Sequence, residues 1–271
     1  MGITNLAATL KRLSGPEKAL GALNLKGRSV GVDFSVVLYK ALRSKHAVDQ
    51  FWADPKVPVT NISDYLETFV GALRSAGVQN VVFILDNLTP PAKELVSGVR
   101  RRERELSVEA LEGPEGLFLR GTEEDTMLVD NHKRKAVYPR YDVIAWAVGR
   151  VRAMGCLVLG APFEADGQLV AEQLAGRLDA IVTEDSDLFV LGGTWLLLNL
   201  HSSAEGWKCS SVRREEVLPL LEVEVLQQDL VNEGLTFRSQ PTPRGTNVTA
   251  AEIYVFWAAE NLAKLKICSL G

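Results

Sequence analysis

"DAIVTEDSDLFVLGG", residues 179–193, holds the clearest signal of how the chain folds. An apolar run stops at Glu184 and Asp185, a third acid follows at Asp187, and apolar residues resume at once. Two carboxylates about 5 Å apart repel by roughly 3 kcal/mol at an effective dielectric of about 20. Such a cluster either fans into solvent or is neutralised by something positive. Upstream of it, three more apolar runs end on or near acids. "SVGVDF" (29–34) stops at Asp33 and "NVVFILDN" (80–87) at Asp86, while "CLVLGAPFEAD" (156–166) turns at Gly-Ala-Pro and reaches Glu164 and Asp166. Continuous β-branched runs of this length read as strands buried on both faces, as in a parallel sheet.

Helical patterns lie between them. "SDYLETFVGALRSAG" (63–77), "RYDVIAWAVGRVRAMG" (140–155) and "EADGQLVAEQLAGR" (164–177) space their apolar residues for a helix. The alternation predicts an α/β fold with a mostly parallel central sheet flanked by helices. In open sheets of this kind, sites form just beyond the carboxyl ends of the strands, where every one of these acids falls.

The 271 residues, 46% of them hydrophobic, suit one large α/β domain or one domain with an appendage. The longest nearly apolar stretch, 188–200, is too short and broken to span a bilayer, so no membrane partner is expected. The N-terminus lacks the apolar core of a secretory signal, and Leu6 stands where myristoylation wants Ser or Thr. Cys156, Cys209 and Cys268 are scattered, as are His46, His132 and His201, so neither a disulfide framework nor a zinc site is readable. An intracellular, reducing compartment follows, and the sequons at Asn61 and Asn247 are then chance matches. A net charge of −4 gives no global argument for nucleic acid, so any such argument rests on local patches.

An acid at one strand end is commonly a turn or cap residue. Four strand ends carrying acids are harder to explain by capping alone. Asp33, Asp86, Glu164, Asp166, Asp185 and Asp187 together form an all-oxygen donor set, which suits Mg²⁺ or Mn²⁺ rather than zinc or copper. Two such ions about 4 Å apart are the arrangement used for in-line phosphodiester hydrolysis. Calcium is the second candidate, although no EF-hand-type loop is present. Glu184, beside Asp185 on the expected strand, points to the opposite face and reads as a turn residue or as one that supports the metal ligands from behind.

After Asp86 comes "NLTPPAKELVSGVRRRERELS" (87–107), in which Lys93, Arg100 and Arg104 share one helical face. A charged face of this kind is either solvated surface or a phosphate grip. Lys93 and Arg100 stand seven and fourteen residues beyond Asp86, within reach of a phosphate beside the metals. Tyr39, six residues past Asp33, is either core or a platform on which a base stacks.

These blocks, taken in order over roughly residues 1–200, resemble the XPG/flap-endonuclease family, most closely its exonuclease 1 branch. "MGITNL" resembles the family's opening, whose glycine packs near the active site and would be Gly2. "GVDFSVVLY" resembles the first catalytic block, with Asp33. "FILDNLTPPAKELVSGVRRRERE" resembles the second, with Asp86, Lys93 and Arg100. "APFEADGQLV" resembles the internal-region signature, with Glu164 and Asp166, and "AIVTEDSDLFVLG" the block that carries Asp185 and Asp187.

The resemblance implies a PIN-like 5′ nuclease core with a helical arch, two Mg²⁺ ions for which Mn²⁺ can substitute, and nuclear residence. It implies DNA as partner, as a 5′ flap or a nicked or recessed-end duplex. It places the core at 1–220, with an N-terminal region to about 107, the arch at about 92–138 and the internal region at about 140–220. Asp86, Asp185, Lys93 and Arg100 would be catalytic, with Gly2, Tyr39 and Arg104 joining Lys93 and Arg100 against DNA.

Three departures accompany it. "LDN" replaces the usual Asp-Gly pair, and Gly167 stands where Ala is common. The family's Gly-x-Asp-Tyr motif, which supplies a further metal carboxylate and leads into a helix-hairpin clamp, has no counterpart. Residues 221–271 offer only Asp229, ten residues early, and read as a divergent tail with no partner-binding motif, such as one for a sliding clamp. Two alternatives therefore stand beside a DNA nuclease: a catalytically impaired DNA-binding or scaffold relative, and an unrelated metal phosphohydrolase or PIN-like RNase.

Overall fold

The Val-rich run at 29–33 forms strand β2 (Ser29–Asp33), buried from Val30 onward, and the apolar run at 80–85 forms β3 (Asn80–Leu85), buried from Val81 to Ile84. They belong to a mixed sheet of seven strands flanked by helices. The computed structural model describes residues 6–44, 47–49, 60–87, 94–112 and 123–221. Gly2, Lys93, His46, Asn61's side chain, Asn247, Cys268 and the expected tail beyond 221 lie outside what it describes.

The chain divides into two compact units, one built on 20–169 and the other on 2–19 with 170–271. In the first, β2, β3 and β4 (Leu157–Gly160) run parallel, with Val32 beside Phe83 and Phe83 beside Val158. Helices α2 (Phe34–Leu42), α3 (Thr60–Ser75) and α6 (Tyr141–Ala153) pack around these strands. Phe34 and Phe83 meet edge to face at 5.6 Å between centroids, with Phe69 tilted against Phe83 and Leu66, Leu73 and Ile84 fully buried. Each such side chain stabilises the fold by about 1.5–3 kcal/mol.

At the amino edge of these strands Gly77 is indispensable. Its φ of +92° is left-handed, and a Cβ there would sit 2.9 Å from the Lys26 Cα. Its carbonyl accepts the Gly27 N–H at 2.9 Å, and the Arg28 carbonyl accepts the Gln79 N–H at 2.9 Å, so the two strand starts are stitched together. Helices α4 (Glu94–Glu112) and α5 (Glu123–Ala136) pack on each other and occupy the stretch expected to form the arch.

One expectation fails here. The third apolar run is not buried on both faces: Leu157 is 59% and Leu159 42% exposed. The reason is its place at the sheet edge, where β4 pairs with β3 alone and the face those two leucines share is left open among the described residues.

In the second unit β5 (Ala180–Thr183) is buried throughout and pairs in parallel with β6 (Trp195–Ser203). Antiparallel pairings follow, β6 with β7 (Gly206–Arg213) and β7 with β1 (Lys18–Ala19), so parallel order does not extend across this unit. Helix α1 (Leu6–Leu13) and the single-turn helix α8 (Asp187–Val190) also belong to it. Gln173, near the end of α7 (Ala165–Leu174) and 6% exposed, ties three backbone groups together. Its Nε2 donates to the carbonyls of Asp179 and Trp195 at 3.2 and 3.1 Å, and its Oε1 accepts the Thr194 N–H at 2.8 Å. Among the described residues no helix is long and apolar enough to cross a membrane.

Candidate carboxylate site at the strand ends

Asp33 is the last residue of β2 and the N-cap of α2, accepting the Val36 N–H at 3.2 Å, and is 7% exposed. Parallel pairing sets Asp33 beside Ile84, which brings Asp86, just past β3, to the same sheet edge. Both Asp86 oxygens are engaged. Oδ2 accepts the Ser35 hydroxyl at 2.5 Å, and Oδ1 accepts the Ala165 N–H at 2.7 Å, so Asp86 caps the start of α7 from another segment.

The turn before α7 is knitted to the end of β3. Ala161 N–H donates to the Leu85 carbonyl at 2.9 Å, and Asn87 N–H to the Phe163 carbonyl at 2.8 Å. Glu164 immediately precedes α7, and Asp166 stands in its first turn, where the helix dipole favours negative charge. Asp33, Asp86, Glu164 and Asp166 therefore come to one edge of β2, β3 and β4, as a single unit.

The other two acids close a turn in the second unit. β5 ends at Thr183, so Glu184 and Asp185 both lie beyond the strand, and the alternation expected of them does not apply. Glu184 is exposed and Asp185 half-buried. The Thr183 hydroxyl accepts the Asp185 N–H at 3.1 Å, and Asp185 Oδ1 accepts the Asp187 N–H at 2.9 Å, which starts α8. Arg214 donates to the Phe189 carbonyl at the end of that turn and stacks 5.0 Å from the Phe189 ring centroid. Burial pulls its pKa below the ordinary arginine value.

The capping expected of acids at strand ends is present here. Asp33, Asp86 and Asp185 each use an oxygen to hold a backbone N–H, local for Asp33 and Asp185 and from a distant segment for Asp86, and a carboxylate oxygen has two acceptor sites. The donor chemistry, carboxylate throughout, fits Mg²⁺ or Mn²⁺. Among the described residues, however, no three His, Cys, Asp or Glu side chains gather closely enough to hold a metal.

Of the basic residues, Arg100 is exposed on α4, and Arg104, one turn on, lies half-buried with its guanidinium 5.1 Å from the Tyr138 ring centroid. Tyr39 is half-buried on α2, with the Arg43 guanidinium 5.1 Å from its ring centroid. Lys93 and Gly2 lie outside the described residues. Sequence reasoning passed over Ser35 and Tyr138. Only the hydrogen bond that the Ser35 hydroxyl donates to Asp86, across 51 positions of sequence, marks the serine.

The chain is similar to known proteins in sequence and in fold. The family model described as the XPG I-region matches residues 155–239. Exonuclease 1 of Danio rerio is 29% identical over 211 residues, which is 76% of this chain and 24% of that protein. Flap endonuclease 1 of Tetrahymena thermophila is 26% identical over 217 residues, 76% of this chain and 53% of that protein. The chain thus spans about a quarter to a half of the length of these relatives. Among solved structures, the catalytic core of Rad2 in complex with DNA substrate aligns at a TM-score of 0.55 and 20% identity, over 82% of this chain and 57% of that one. Human GEN1 in complex with Holliday junction DNA aligns at a TM-score of 0.55 and 15% identity, over 96% and 55%. Those structural likenesses establish the shared fold. Over residues 155–239 the chain matches the XPG I-region, and across most of its length it is similar to exonuclease 1 and flap endonuclease 1.

Proposed function

We propose that the chain is a metal-dependent 5′ nuclease acting on DNA phosphodiesters, cutting 5′ flaps or removing nucleotides from 5′ ends, in DNA repair or replication in the nucleus. The observation that carries this reading is the assembly of Asp33, Asp86, Glu164 and Asp166 at one carboxyl edge of parallel strands, where the fold class builds its sites. Asp185 and Asp187 stand at the corresponding end of β5.

Asp33, Asp86, Glu164 and Asp166 in the first unit, and Asp185 and Asp187 in the second, would hold Mg²⁺ or Mn²⁺, which would supply positive charge against the charge that develops on the phosphodiester. The chain's own part is to bind and orient. Arg100 grips a phosphate with its planar fork, Lys93 adds a point charge, and Arg104 extends the same face. Tyr39 stacks on a base, and Gly2 lets the chain's start pack close to the site.

The test is direct. The purified chain with Mg²⁺ or Mn²⁺ should shorten a 5′-labelled flap or recessed-end duplex, and Asp86→Asn or Asp185→Asn should abolish this. A second reading, a catalytically impaired DNA-binding or scaffold relative, is favoured by one observation: no three acids gather at metal-holding distance among the described residues. Intact substrate at high protein concentration, with DNA still bound, would decide for it.

A further inference from the structure

The geometry points to Ser35 as a positioning residue for the carboxylate of Asp86. Ser35 sits in the first turn of α2, two residues beyond Asp33, where a serine hydroxyl commonly bonds its own helix. Here it reaches across 51 positions of sequence to Asp86 Oδ2 at 2.5 Å. An ionised carboxylate only accepts, so the hydroxyl is the donor, and the distance falls in the short range of bonds to a charged acceptor.

The opposite oxygen is fixed by Ala165 N–H at 2.7 Å. Two donors on two oxygens define the carboxylate plane, where one alone would leave it a hinge. Through Asp86 the starts of α2 and α7 are coupled, and with them Asp33, which caps α2, and Glu164 and Asp166, which flank the start of α7. Ser35 thus sets how Asp86 presents its remaining acceptor positions to a divalent cation. This role rests on the metal-dependent reading proposed above. Groups that orient metal ligands are worth about 10–100-fold in metal affinity.

The experiment compares the full chain with Ser35→Ala and Ser35→Thr in two measurements. Calorimetric titration with Mn²⁺ reads the metal, and hydrogen exchange at the Ala165 amide, followed without metal, reads the orientation of Asp86. Ser35→Ala should weaken Mn²⁺ binding about tenfold and speed Ala165 exchange roughly fivefold, the equivalent of one hydrogen bond. Ser35→Thr, which keeps the hydroxyl, should restore both. In an Asp86→Asn background Ser35→Ala should add nothing to the loss of Mn²⁺ affinity, because it acts through that carboxylate.

If the parent binds no Mn²⁺ while exchange still follows the hydroxyl, the positioning stands and the metal-dependent reading fails. Unchanged exchange and Mn²⁺ affinity in Ser35→Ala, or Ser35→Thr as impaired as Ser35→Ala, overturns the assignment.

Discussion

Asp86 has a structural role and, on the proposed reading, a catalytic one, and choice of substitution separates them. Asp86→Ala removes the acceptor for both Ser35 and the Ala165 N–H and should cost about 1–2 kcal/mol, read as a lower urea midpoint. Asp86→Asn keeps a carbonyl for the helix start and should lose less stability, while flap cleavage disappears in both. Activity that survives in Asp86→Asn would return the residue to a purely structural role. Cys209 offers a second test, of pH. Burial pushes its thiol up to about 12. The folded state therefore holds the proton after the unfolded chain has released it. The stabilisation is complete below the ordinary thiol range and is lost as pH climbs toward 12. Urea midpoints at pH 7.5 and 10 should fall more for the parent than for Cys209→Ala, and equal falls would remove Cys209 as the cause.

Elements were legible wherever a pattern is local. The runs ending at Asp33, Asp86 and Thr183 announce β2, β3 and β5 because a doubly covered strand needs continuous β-branched residues. Nothing local shows that β4 lies at an edge, so its exposed Leu157 and Leu159 could not be foreseen. "GWKCSSVR" alternates too weakly to announce β7, and β1 is only two residues long. The acids' positions were readable, but their hydrogen-bond partners were not, since the Ala165 N–H reaches Asp86 only through the packing of α7. Gln173 shows the same limit: a helical glutamine in sequence, it joins two carbonyls and an N–H in the second unit. Gln173→Leu should destabilise by about 3 kcal/mol, because buried backbone groups lose their partners. The check is the denaturation midpoint, with the far-ultraviolet spectrum unchanged.

For the molecule as a whole, a net charge of −4 means that DNA, the partner proposed above, would have to be met by a local positive surface. The paired helices α4 and α5 carry Arg100, Arg101, Arg102 and Arg104, and Lys133, Arg134 and Lys135. Binding to a flap duplex should weaken steeply with salt. Replacing Lys133 and Lys135 together with Glu should flatten the log–log slope by about 2, nearly one counterion for each phosphate no longer neutralised. An unchanged slope would place the phosphate grip elsewhere. The stitching of Gly77 to Lys26 and Gly27 bears on how such experiments can be supported. It anchors β2 and β3 at the end away from the acids, which offers a place for compensating substitutions when an inactive variant proves too fragile to purify. Reinforcement at that seam can rescue yield while leaving the chemistry under study untouched.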